Sequence, residues 1–147
     1  MHKLAAITAF LVQQNLVAAE QIDSWVENVE LFPAGDERGN GVLMFRQEYT
    51  IGIEIERYPY KTHPAELLFA LLSCWLMDND SERDEIAVPK VDVEVLDDSI
   101  ADLEITIEFT EDITAVEDPA GPILFNGKQY RLDVDLIDYA EEGEVRT

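Results

Sequence analysis

The sequence predicts an α+β fold: a mostly antiparallel β-sheet with an N-terminal helix and a second, strongly apolar helix packed on one face. Two segments carry apolar residues at helical spacing, and several others alternate apolar with acidic residues. No repeat or long linker divides the 147 residues, a length typical of one domain. The chain therefore reads as a single domain over 1–147.

Leu4, Ile7, Phe10 and Leu11 fall at helical spacing with no Gly or Pro nearby, which predicts a helix over 3–16. Trp25, Val29 and Leu31 share one parity and predict a strand over 22–33 that ends at Pro33. Ala34 to Gly41 is turn chemistry throughout and predicts an exposed loop. Leu43, Phe45, Tyr49, Ile51, Ile53 and Ile55 then alternate with Arg46, Glu48, Glu54 and Glu56, the pattern of a long strand with one buried and one acidic face. Thr62 or His63 can open a helix with Pro64 in its first turn and Glu66 near its positive end. In that helix Leu68, Leu71, Leu72 and Trp75 form one stripe, and Leu67, Ala70, Cys74 and Met77 a second. A helix so apolar is expected to bury two sides, one on the sheet and the other against a neighbouring subunit.

After the polar break Asp78 to Glu85, Val91, Val93 and Val95 alternate with Asp92 and Glu94. The turn Leu96 to Ile100 leads into Leu103, Ile105, Ile107 and Phe109, which alternate with Glu104, Thr106, Glu108 and Thr110, and the two runs predict a hairpin. Pro119, Gly121 and Pro122 interrupt the chain. Asn126-Gly127 is a two-residue hairpin turn between strands at 123–125 and 129–135, so 117–138 reads as an additional hairpin. Residues 141–147 are expected to fray.

Composition excludes several functions. Ten Lys and Arg stand against 32 Asp and Glu, a net charge of −22, whereas binding to a phosphate backbone ordinarily requires a basic patch. Anionic membranes repel the chain for the same reason, and no apolar run approaches the roughly 20 residues needed to span a bilayer. The apolar run Leu4 to Val12 resembles a signal peptide only weakly, because Gln13, Gln14 and Asn15 follow it. With 47% hydrophobic residues, the chain is expected to fold rather than form an acidic disordered tail. One cysteine, Cys74, allows no intrachain disulfide and favours an intracellular setting.

No catalytic, cofactor or metal constellation emerges. Asp92, Glu94, Glu104 and Glu108 alternate with apolar residues, which reads as a solvated sheet face rather than an acid/base pair. Asp78, Asp80, Glu82, Asp84 and Glu85 lack the central Gly and the terminal Glu of a calcium loop. His63 reads as a surface or capping residue, His2 as part of a fraying terminus, and Cys74 as a buried inert thiol. There is no nucleophile elbow and no phosphate loop.

The distribution of charge is the unusual feature. Val91 to Gly127 contains no Lys or Arg but eleven acids between Asp92 and Asp118, although a solvated face normally mixes both signs. Two readings follow. The face imitates DNA for a DNA-binding protein that it inhibits, or it lines a passage through which DNA slides without sticking.

The run 43–51 (LMFRQEYTI), the helix 64–76 with Leu71-Leu72-Ser73-Cys74-Trp75-Leu76, and the later 91–98 and 101–111 together resemble the tail completion protein R family of contractile-tailed bacteriophages, in family order over roughly residues 3–116. The resemblance implies a structural protein, with no enzymatic activity and no cofactor, that finishes the head-proximal end of the tail tube and lets a preassembled head join. By analogy with related tail terminators it implies a homo-oligomeric ring, commonly hexameric. Its implied partners are the tail tube and head-tail connector, with no sequence-specific nucleic acid and no membrane, and its implied location is the virion tail, or the host cytoplasm during assembly. The 122–138 hairpin departs from the family pattern. Within this reading Asp92, Glu94, Glu104 and Glu108 are the expected channel lining. Asp36, Glu37 and Arg38 of the 34–41 loop, with Asn126 and Gly127 of the hairpin, are the expected assembly contacts.

Overall fold

The computed structural model describes residues 1–39, 41–80 and 88–133. The elements are helix α1 (His2–Gln13), a short 3-10 turn (Ala19–Gln21), strands β1 (Ile22–Arg38) and β2 (Gly41–Tyr58), helix α2 (Ala65–Asn79), and strands β3 (Lys90–Val95), β4 (Ala101–Glu117), β5 (Ile123–Phe125) and β6 (Lys128–Leu132). The six strands form one sheet in the order β1-β2-β4-β6-β5, with β3 paired to β4 off that path. The pairs β3/β4, β4/β6 and β5/β6 are antiparallel, so the fold is α+β as expected.

Contacts divide the chain into two compact units, one of Lys3–Asn28 and Thr50–Phe109, the other of Met1–His2, Val29–Tyr49 and the chain from Thr110. In the first, Ala101, Leu103, Ile105, Ile107 and Phe109 of β4 and Ile51, Ile53 and Ile55 of β2 are buried, each at 2% exposure or less. Alternation puts them on one face of each strand. Ile7 and Leu11 of α1 and Leu68, Leu72, Trp75 and Leu76 of α2 complete this core. The Trp75 ring meets Phe109 edge-on with centroids 6.3 Å apart, and Lys3 Nζ lies 5.6 Å above the same Phe109 ring. Lys3 also donates to the buried Asp80 at the end of α2, so the polar break begins with an ion pair. The remainder of the calcium-like cluster, Glu82, Asp84 and Glu85, lies outside the described residues.

In the second unit Val42, Ala115 and Tyr130 form a buried cluster against which Met44, Ile123 and Phe125 pack. Asn126 and Gly127 take φ of 51° and 75°, the left-handed pair that an Asn-Gly hairpin turn requires. A Cβ on Gly121 would sit 2.1 Å from the Tyr130 carbonyl oxygen, so only glycine fits where the chain doubles back.

Two expectations about the elements are corrected, and two strand faces are more exposed than simple alternation suggests. β1 continues through Pro33 to Arg38, so most of 34–41 is strand rather than loop. Pro33 is tolerated because β1 ends the strand order, where a missing N–H costs no ladder bond on the outer side. Val29 and Leu31 are exposed at 41% and 60%, so the parity of β1 does not mark a buried face there. α2 starts at Ala65 with Pro64 as its N-cap and no side-chain cap, so neither Thr62 nor His63 opens it. Val93 and Val95 pair with Leu103 and Ala101 yet are 54% and 63% exposed, because β3 lies off the main strand path and among the described residues no element covers that part of its apolar row.

Candidate functional site

The β3/β4 register sets Asp92 directly opposite Glu104 and Glu94 directly opposite Asp102. Two like-charged cross-strand pairs thus stand side by side, an arrangement that costs stability. Glu54 of β2 belongs to the same field. Desolvation first, then Glu56, Asp102, Glu104 and Asp23, push its carboxyl above the ordinary value. Carboxylates of β1, β2 and β4 therefore act together on Glu54 within the first unit. Glu108 is exposed farther along β4, beyond the stretch that β3 pairs, so the register brings together three of the four expected lining residues and not the fourth. Asp23, Glu54, Glu56 and Asp102 extend the field, and only strand order could have placed them there.

The hairpin turn is fixed by another carboxylate. Asp97 accepts backbone N–H bonds from Ser99 (2.7 Å) and Ile100 (3.0 Å) and a hydroxyl bond from Ser99 (3.0 Å), which together hold its carboxyl below the usual range. Asp102 Oδ1 accepts the Arg57 backbone N–H at 2.9 Å, and Arg57 takes the left-handed φ of 50°.

The raised Glu54 value has a definite sign. A carboxyl with a higher pKa folded than unfolded contributes stability below its unfolded value, and that contribution is lost as pH rises through the folded value. Glu54→Gln is therefore expected to melt higher than the wild type at pH 7 and at the same temperature below the ordinary value of 4.5. Thermal unfolding across that pH range measures the crossover, and equal shifts at both ends would show that repulsion is not the cause.

The expected assembly residues lie in the second unit. Asp36, Glu37 and Arg38 are exposed at the end of β1, and Asn126 and Gly127 are exposed in the β5–β6 turn. A Cβ on Gly35 would be 3.1 Å from the Phe125 ring, so the end of β1 lies beside the β5–β6 hairpin and the two groups occupy neighbouring segments.

Sequence reasoning missed the buried carboxylate of Glu111, whose side chain is 2% exposed. It accepts the Tyr49 hydroxyl and, at 3.2 Å, the Gln47 amide. The Met1 amine and His2 Nδ1 lie 3.4 and 3.5 Å away, so His2 sits in an ordered helix start rather than a fraying end. The signal was available: Glu111 has the same parity as Phe109 and Ile113, which marks the inner face. Cys74 is likewise corrected, being exposed rather than buried. It belongs to the stripe of α2 that faces away from the core.

Among the described residues no three His, Cys, Asp or Glu side chains converge to hold a metal, and no helix is long and apolar enough to cross a membrane.

A family model described as P2 phage tail completion protein R (GpR) matches residues 1–134. A Haemophilus phage HP1 (strain HP1c1) protein, described as an uncharacterized 19.2 kDa protein in the rep-hol intergenic region, is 32% identical over 125 residues, covering 83% of this chain and 75% of its own length. No solved structure matches. Because the family match runs past residue 116 to 134, it takes in the β5–β6 hairpin.

Proposed function

The chain belongs to the P2 phage tail completion protein R (GpR) family, and from that premise we propose that it caps the head-proximal end of a phage tail tube and enables the head to join. Its structural role in tail completion follows from the family, as do its partners among other phage tail proteins and its place in the virion tail. The observation that carries the reading is the extent of the match, nearly the whole chain.

A cap on a stack of rings must fit the last ring on one side and present a different surface on the other. We assign the first task to self-association as a ring, with six copies as the working number, and to β1. Beyond Asn28 β1 exposes Leu31 and Phe32, and among the described residues it has a strand on one side only. Such an edge accepts an added strand from a neighbour. Asp36, Glu37 and Arg38, with the adjacent Asn126-Gly127 turn, are the assigned contacts with tail tube or connector. The carboxylate rows Asp92/Glu104 and Glu94/Asp102, continued by Glu108, line the passage. Their fields act over roughly 8 Å at physiological salt, enough to keep phosphates from settling on the wall.

Complementation tests the assignment. A phage lacking this protein should make headless tails or tails of uncontrolled length in the host cytoplasm, and wild-type protein should restore both length and infectivity. Replacing Asp92, Glu94, Glu104 and Glu108 together by Lys should preserve joined particles and slow DNA ejection. Normal tails without the protein would overturn the cap. Tight, salt-sensitive binding to a basic nuclease or repressor, with normal tails in its absence, would establish the DNA-mimic reading instead.

A further inference from the structure

We propose that the outward stripe of α2 is the surface through which two copies of this chain meet in solution, antiparallel across a two-fold axis. Leu67, Ala70, Cys74 and Met77 are all exposed, Leu67 at 42% and Met77 at 64%, while Leu68, Leu72, Trp75 and Leu76 on the other side of the helix are buried. Steps of three, four and three residues keep the four on one side of the helix.

Both the spacing and the order of sizes (large, small, small, large) read the same in either direction. With the axis level with residue 72, Leu67 of one copy meets Met77 of the other, and Ala70 meets Cys74. Residue i touching j while j touches i is what a two-fold contact between identical surfaces requires. The small residues fall at the crossing, where they let the helix axes approach to about 8 Å.

Charge favours a second copy over a basic partner as the occupant. A chain of net charge −22 repels its own copy over most of its surface, but residues 67–77 contain no Asp, Glu, Lys or Arg. A basic partner gains more at the carboxylate rows, whereas a second copy gains only on a neutral patch. Glu66 and Asp78 flank the stripe at its two ends and remain at the solvated rim. Salt screens their repulsion and that of the rest of the surface. The contact therefore tightens as salt is added, opposite to the behaviour of an acidic face bound to a basic one. A two-fold contact closes at two copies, so it is additional to the head-to-tail contact of a ring and does not depend on the tail role. Complementation tests that role, and mass in solution tests this contact.

Light scattering of the full chain over a concentration series at low and high salt should show a dimer that tightens with salt. Ala70→Glu, at an exposed position, should raise the dimer Kd at least tenfold while leaving the circular dichroism unchanged. Under mild oxidation the triple variant Leu67→Cys/Cys74→Ala/Met77→Cys should give disulfide-linked dimers. The double variant Leu67→Cys/Cys74→Ala should not, because residue 67 and its counterpart would lie about 15 Å apart along the axis at 1.5 Å per residue. A monomer at every concentration, a dimer indifferent to Ala70→Glu, or equal crosslinking of the two cysteine variants would overturn the contact. Where Ala70→Glu fails to fold, the crosslinking comparison decides.

Discussion

Glu111→Ala is expected to destabilise the protein by about 3–5 kcal/mol, the usual cost of removing one partner from a buried charged group. The loss is large because the carboxylate serves several donors at once. Without it the Tyr49 hydroxyl and the Gln47 amide remain at 2% and 6% exposure with their acceptor gone. Each buried donor left unsatisfied costs about 1–3 kcal/mol. Glu111→Gln keeps an acceptor oxygen at nearly the same place and should lose distinctly less. Urea unfolding separates the two variants by midpoint at unchanged slope. Equal losses would show that the charge matters and the hydrogen-bond acceptor does not.

Phe109→Ala should cost a similar amount, about 3–5 kcal/mol for deletion of a buried aromatic ring. Phe109 is 2% exposed, receives the edge of Trp75 from α2 and lies under the Lys3 ammonium from α1. Its removal takes away the surface on which both helices rest, including an aromatic pair worth about 0.5–1.5 kcal/mol beyond its buried area. The cavity would leave Trp75 in altered surroundings, so its fluorescence should shift in the native state, and Trp75→Phe would identify the source. A native-state spectrum identical to the wild type would mean that α2 does not depend on this ring.

The sequence was most legible where one strand has one buried face. The alternation from Ala101 to Phe109 marks a half-buried strand, and the structure buries every odd residue of it. Asn126-Gly127 was equally plain, since a two-residue turn with both φ positive leaves few other residue choices. The hairpin pairing of 90–95 with 101–106 followed from two alternating runs joined by a short polar turn. Legibility failed where strand order, a property of the whole sheet, decides what a residue meets. Pro33 looked like a terminator because the edge position of β1 cannot be read locally. The exposure of Val93 and Val95 was not legible because alternation does not tell a covered row from an uncovered one. The even-numbered acids were visible as a solvated face, but which of them oppose one another required register: Asp92 with Glu104, Glu94 with Asp102. Glu111 was hidden by its residue type, although its position announced the inner face.

Among the described residues β1 has a strand on one side only, which has a consequence for handling as well as for assembly. A 17-residue strand at the end of the strand order is a template for amyloid-like stacking unless something discourages it. Its gatekeepers are Pro33, which interrupts the row of donors, and the carboxylates of Asp23, Glu27, Glu30, Asp36 and Glu37. Added salt screens the repulsion between the carboxylates of neighbouring copies, while Pro33 remains as one fixed obstacle. The edge assigned to a neighbour is thus also the edge that high salt opens to unspecific stacking, and dilute salt is the condition that keeps it available.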